Sequence, residues 1–152
     1  MLIALTVAQK WKGEKMARKM SYEGKYKLSR HAYNTAKWYA LGFNEWLDEY
    51  NRLKDSVSAI SYENGDMPHA INKTSNPTEE LAERRAVLSE KMDKVTRCCQ
   101  LAGGDISEYL FKAVTNEGIT YNTLKALKDI PCSANTFYDR RRKFYWLLAK
   151  EL

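Results

Sequence analysis

From residue 77 to its end the chain is divided by helix start and stop signals so closely spaced that almost nothing except helices fits between them. Asn76 is an N-cap residue, Pro77 occupies the first helical position, and Glu79 stands at the capping-box position. The helix they open is predicted to run to Ala102, where Gly103-Gly104 stops it. Asp105 with Glu108 forms a second capping box, for a helix through Ile106, Leu110, Ala113 and Val114 that closes at Asn116-Glu117-Gly118. Thr120 then caps a short helix holding Tyr121, Leu124 and Leu127. Proline breaks the chain in Lys128-Asp129-Ile130-Pro131-Cys132, and Ser133 caps a last helix that reaches Leu152.

The first half reads the same way with fewer marks. Ser29 is an N-cap for a helix ending at Gly42, in which Tyr33, Ala36, Trp38 and Leu41 share a broad face. A second helix starts at Asn44 and carries Trp46, Leu47, Tyr50, Leu53, Val57 and Ile60 at spacings near three and four. Residues 61–76, with Asn64-Gly65 and Pro68, lack periodicity and form the one long loop. The predicted fold class is therefore all-α, a helical bundle with a C-terminal helix-turn-helix. Its parts are a basic, aromatic-rich helical unit over 1–60, a linker over 61–76, and a long helix followed by the helix-turn-helix over 77–152. Within the first part, residues 1–24 either form a short amphipathic helix or stay flexible.

The long helix carries Leu81, Leu88, Met92, Val95, Cys99 and Ala102 at alternating spacings of four and three, interrupted by Arg85. Such a stripe suits an intramolecular hairpin or a homodimeric coiled coil. Adjacent Cys98 and Cys99, with Cys132 far away, give no disulfide framework and no metal-ligand spacing, so the expected home is a reducing cytoplasm. The apolar run Met1 to Ala8 is too short for a membrane span and has no basic region ahead of it, so neither a membrane helix nor a signal peptide is expected.

Catalytic chemistry finds little to work with. His31 and His69 are the only histidines and fall in different regions, and no phosphate loop or nucleophile elbow is present. No enzyme activity, metal or cofactor is expected. Charge points elsewhere. Residues 1–54 carry a net +6, residues 55–118 a net −4 and residues 119–152 a net +4, so both ends are basic. Basic patches draw polyanions through counterion release, although surface lysines retained for solubility give similar totals.

The last helix concentrates that signal. Phe137, Phe144, Leu148 and Leu152 recur at intervals of seven and four and form an apolar face, which leaves the other face to a partner. The first turns present Ser133, Asn135, Thr136, Tyr138, Arg140, Arg142 and Lys143, residue types that suit base edges and phosphates, with Arg141 nearer the apolar side. Four consecutive cations, Arg140 to Lys143, repel one another on a short arc, a cost that a polyanion relieves. Double-stranded DNA is the expected partner.

The stretch Ile119 to Leu152, with Thr120-Tyr121, Ile130-Pro131-Cys132-Ser133 and the run from Thr136 to Trp146, resembles small phage proteins of Gram-positive bacteria. It is similar to the RinA and ArpU group of late-gene transcriptional activators, whose C-terminal part is like the promoter-reading helix-turn-helix of sigma factors. The Asn76-Pro77-Thr78-Glu79 opening fits that likeness. Leu28-Ser29-Arg30-His31, with Tyr39 and Glu45-Trp46, is similar to the opening of clostridial phage proteins. The resemblance implies a phage or prophage origin in a bacterial host cell, DNA binding by residues after Ser133, and gene regulation as a dimer or with RNA polymerase. A second reading stays open: an anti-defence protein of the anti-CRISPR type that binds and inhibits a host nucleic-acid enzyme.

Overall fold

The computed structural model describes residues 25–63 and 77–152, and every regular element among them is helical. The 1–24 stretch, the Asn76 cap, His69 and the side chains of Val57 and Ile60 lie outside the described residues. The helices are α1 (Arg30–Leu41), α2 (Phe43–Glu63), α3 (Pro77–Gly103), α4 (Ser107–Thr115), α5 (Tyr121–Lys128) and α6 (Ala134–Glu151). The expected linker is thus three residues shorter at its start, because α2 continues through Glu63.

Three predicted caps form as hydrogen bonds. Ser29 accepts from the Ala32 N–H at 3.1 Å, Thr120 from the Thr123 N–H at 3.4 Å and Ser133 from the Thr136 N–H at 3.3 Å. Each satisfies one of the N–H groups that a helix start leaves without a partner. The Asp105 capping box does not form. Gly104–Ile106 winds instead into a short 3-10 turn, α4 starts at Ser107 without a side-chain cap, and Glu108 pairs with Lys112 at 3.4 Å. Gly104 adopts φ +55°, a left-handed conformation suited to glycine, and this allows the chain to leave α3 and enter the 3-10 turn directly.

α1 and α2 are nearly one helix. The Gly42 N–H donates to the carbonyls of Trp38 and Tyr39, and the Trp46 N–H donates back to the Gly42 carbonyl at 3.1 Å, so the ladder bends without breaking. A β-carbon at Gly42 would stand 2.8 Å from Cζ2 of Trp46, whose indole lies edge-on to Tyr39.

α2 and α3 form an antiparallel hairpin, with Lys91 over the Trp46 ring at 5.3 Å, Arg85 over the Tyr50 ring at 5.2 Å and an Arg84–Glu49 ion pair. Arg85, the interruption in the α3 stripe, is therefore accommodated by an aromatic face on the neighbouring helix. The rest of the stripe turns inward: Leu88, Val95, Cys98, Cys99 and Ala102 are buried, and Leu81 and Met92 are half-buried. Of the two uses this pattern allowed, the hairpin is the one seen within the chain. α6 runs antiparallel to α3, with Arg97 paired to Glu151 at 2.6 Å, and antiparallel to α1, with Tyr33 edge-on to Tyr145 at 4.9 Å. Phe137, Phe144 and Leu148 are fully buried in the common core.

Some apolar residues assigned inward by spacing lie outside. Trp38 is 64% exposed because Ala36 and Ala40 occupy the contact face of α1, where small side chains admit the neighbouring helix. Leu127 is 75% exposed because α5 is held by Tyr121 and Leu124 alone. Leu47 and Leu152 are also exposed, whereas Tyr145, which the periodicity left out of the apolar face of α6, is buried. No helix among the described residues is long and apolar enough to cross a membrane.

Truncating Phe144 to alanine is expected to lower unfolding free energy by about 3–5 kcal/mol, through reduced burial plus the residual cavity. Leu101→Ala, at a largely exposed site, is expected to change it by less than ~0.5 kcal/mol. Urea unfolding followed by circular dichroism separates the two; equal effects would contradict the core described here.

Candidate nucleic-acid interface

α5 and α6 are joined by residues 129–133, and this turn is tied down at both ends. Asp129 caps α5 in the left-handed region at φ 49°, its N–H donating to the Lys125 carbonyl. Ile130 is buried, the Cys132 N–H donates to the Ile130 carbonyl at 2.9 Å, and the Tyr121 hydroxyl donates to the Cys132 carbonyl at 2.6 Å. The Tyr121 ring also packs on Phe137, the first buried residue of α6. Turn and helix start therefore move together. This anchoring needs no glycine, because Asp129 adopts the left-handed conformation and Pro131 sits exposed outside both helices.

Residues on α6 advance by about 100° each, so the four consecutive cations point in four directions. Arg140 turns to α3, where its Nη1 donates to the Ala102 carbonyl at 3.2 Å. There it serves as a C-terminal cap: a cation beside the unsatisfied carbonyls of a helix end is favourable on both hydrogen-bond and dipole grounds. Arg141 points toward α1 and stacks on Tyr138 at 5.0 Å, consistent with its place near the apolar side. Only Arg142 and Lys143 remain on the outward side. The mutual repulsion inferred from the run is correspondingly smaller, since sequence neighbours on a helix do not face one another.

The other candidates divide as clearly. Ser133 and Thr136 are exposed, but their hydroxyls share a 2.9 Å hydrogen bond within the cap. Asn135, Tyr138 and Asp139 are exposed on the outward face. Arg142 is half-buried, and its Nε is shielded from solvent with no acceptor. Neither Arg142 nor Lys143 has an ion-pair partner among the described residues.

Further along, the same face is partly shielded. Trp146 packs against Tyr26, with ring centroids 5.4 Å apart, and carries Lys150 over its ring at 3.3 Å. Tyr26, in the segment before α1, thus shields part of the second half of the outward face, whereas among the described residues Asn135, Tyr138 and Asp139 of the first half are exposed. Spacing within α6 had no means of showing this, because the covering residue is 120 positions away in the chain. Beside the turn, Lys125 and Lys128 are exposed, and the neighbouring Lys112 holds Lys128 below the ordinary lysine value through a hydrogen bond and like-charge repulsion. These lysines extend the positive edge.

Among the described residues no group of three or more His, Cys, Asp or Glu side chains is placed to hold a metal ion. His31 is exposed. Burial raises the Cys98 thiol to about 11 and pushes Cys99 higher still, so both remain protonated at neutral pH. No family model, curated protein or solved structure matches the chain.

Two outcomes follow. Arg140→Ala should cost about 1.5–3 kcal/mol in unfolding free energy, the range for a hydrogen bond from a charged donor, whereas Asn135→Ala should leave stability nearly unchanged; thermal unfolding reads both. The raised Cys98 and Cys99 values mean that the unfolded chain ionises first. Their contribution is whole below the ordinary thiol value of 9.0 and is lost as pH rises through the Cys98 value of about 11. A Cys98→Ala, Cys99→Ala variant should therefore lose less stability between those pH values in denaturant titrations.

Proposed function

We propose that this protein binds duplex DNA through the first turns of α6 and acts as a transcriptional regulator of the phage late-gene type. The observation that carries the reading is the patch formed by exposed Asn135 and Tyr138 with half-buried Arg142 and Lys143 in the N-terminal half of α6, the two cations having no ion-pair partner among the described residues. In helix-turn-helix modules that is the end of the second helix that meets the base edges in the major groove. The residue types suit the task. Arginine pairs through two donors with guanine or phosphate, asparagine pairs with adenine, and lysine supplies a point charge to phosphate.

Two residues of the sequence-derived set have different tasks on this reading. Arg140 ties the start of α6 to the end of α3, and Ser133 starts the helix; on this reading both position the reading face and do not touch bases. The transcriptional role rests on the likeness of Ile119–Leu152 to the RinA and ArpU group, and RNA polymerase or a second copy of the chain would be the accompanying partner.

Fluorescence anisotropy with labelled duplexes across a salt series tests the proposal. Wild type should bind with log affinity falling linearly in log salt. Arg142→Ala with Lys143→Ala should flatten that slope by roughly 2, one for each phosphate that the variant no longer neutralises. Asn135→Ala should leave the slope unchanged and relax base preference at one position. Absence of wild-type binding at about 50 mM salt, or a double variant with an unchanged slope, would overturn it. The inhibitor of a host nucleic-acid enzyme would then be the reading to pursue.

A further inference from the structure

Behind the outward face, the seam between α1 and α6 opens into a cavity of about 170 Å³. Tyr33 and Lys37 line it from α1, Glu117 and Thr120 from the loop after α4, and Arg141 and Tyr145 from α6. We propose that this cavity is a binding site for a small oxyanion of the phosphate class, held between Lys37 and Arg141.

The charges favour this ligand. Two cations from different helices border one small space, and neither is ion-paired among the described residues. Glu117, the one acid in the lining, is exposed on its loop. Each cation lies instead near an aromatic ring, Lys37 at 5.8 Å from Trp38 and Arg141 at 5.0 Å from Tyr138. Those are weaker arrangements than a charge-assisted hydrogen bond to an anion.

Tyr145, a lining residue, carries a hydroxyl that suits an oxyanion. Tyr145 is buried, and loss of hydration together with the nearby Tyr33 holds its phenol above the ordinary value, so it remains protonated and able to donate. Size then limits the ligand. The cavity is well below the ~300 Å³ at which drug-sized molecules are housed, and holds roughly the volume of five or six waters, which suits an anion of a few heavy atoms.

Such an anion has two possible sources: free in solution, as phosphate or the terminal group of a phosphorylated metabolite, or a phosphate of the bound duplex. Arg141 connects the cavity to the patch in either case, since it lines the cavity and its guanidinium stands 5.0 Å from the ring of outward-facing Tyr138.

The test uses inorganic phosphate with the full chain. The phosphorus NMR line of phosphate, at constant ionic strength and pH, should broaden saturably on adding protein. Lys37→Met and, separately, Arg141→Met should weaken the binding by about ten-fold or more, the loss expected for one charged hydrogen bond. Circular dichroism confirms that each variant is folded, and Lys37→Met alone suffices should Arg141→Met unfold. No broadening with wild type, or equal broadening with folded Lys37→Met, would overturn the proposal. A duplex added to the phosphate-bound protein identifies the source. Restoration of the narrow line places a backbone phosphate in the cavity, and a line that stays broad identifies a free ligand; either result sustains the site. Because phosphate is read without DNA, this test fails or succeeds independently of the duplex-binding reading.

Discussion

The arrangement depends on the seam between α3 and α6, where small side chains on one helix receive large ones from the other. Cys98, Cys99, Ala102 and Gly103 keep the face of α3 low near its end, and Phe137, Phe144 and Leu148 supply the bulk on α6. Aromatic rings contribute most to burial when they enter such a recess, because dispersion falls steeply with any gap. The same seam is fastened at its two ends by polar contacts, Arg140 to the Ala102 carbonyl and Arg97 to Glu151. Both helices are therefore fixed in rotation as well as in distance. Which side chains of α6 face outward follows from that fixing.

Much of this was legible in the amino-acid sequence, and what was legible shares a cause. Ser29, Thr120 and Ser133 act on N–H groups three residues away, and Gly103-Gly104 acts on its own backbone, so a short window holds all the physics. Asp105 shows how a local signal loses. Its capping pattern competes with a 3-10 turn that buries Ile106 in the core, and the burial of an isoleucine outweighs one exposed cap. Trp38 and Leu127 were misplaced for a related reason. Periodicity shows that a helix has a face without showing how wide the neighbour on that face will be, and on α1 the neighbour needs alanines.

The candidate surface was legible in its location and less so in its membership. Charge and residue type pointed to the first turns of α6, and Asn135, Tyr138, Arg142 and Lys143 do share the outward face there. Arg140 left the set because its partner is a carbonyl 38 positions earlier, and Lys37 was not foreseen because its neighbour in space is 104 positions later. A run of like charges reads as one feature in a sequence. On a helix it becomes several side chains with separate surroundings.

That separation bears on how the run can drift. Arg140 reaches a carbonyl at the end of another helix with a planar group whose charge is spread over several donors, beside a glycine in a left-handed turn. Lysine offers a shorter, more strongly hydrated point charge, so exchange at this position is not conservative. Lys143 has no such geometric duty and tolerates arginine in its place. Homologous chains that keep this fold would thus retain arginine at the first position of the basic run, together with the glycine facing it, while the outward cations vary with whatever each chain binds.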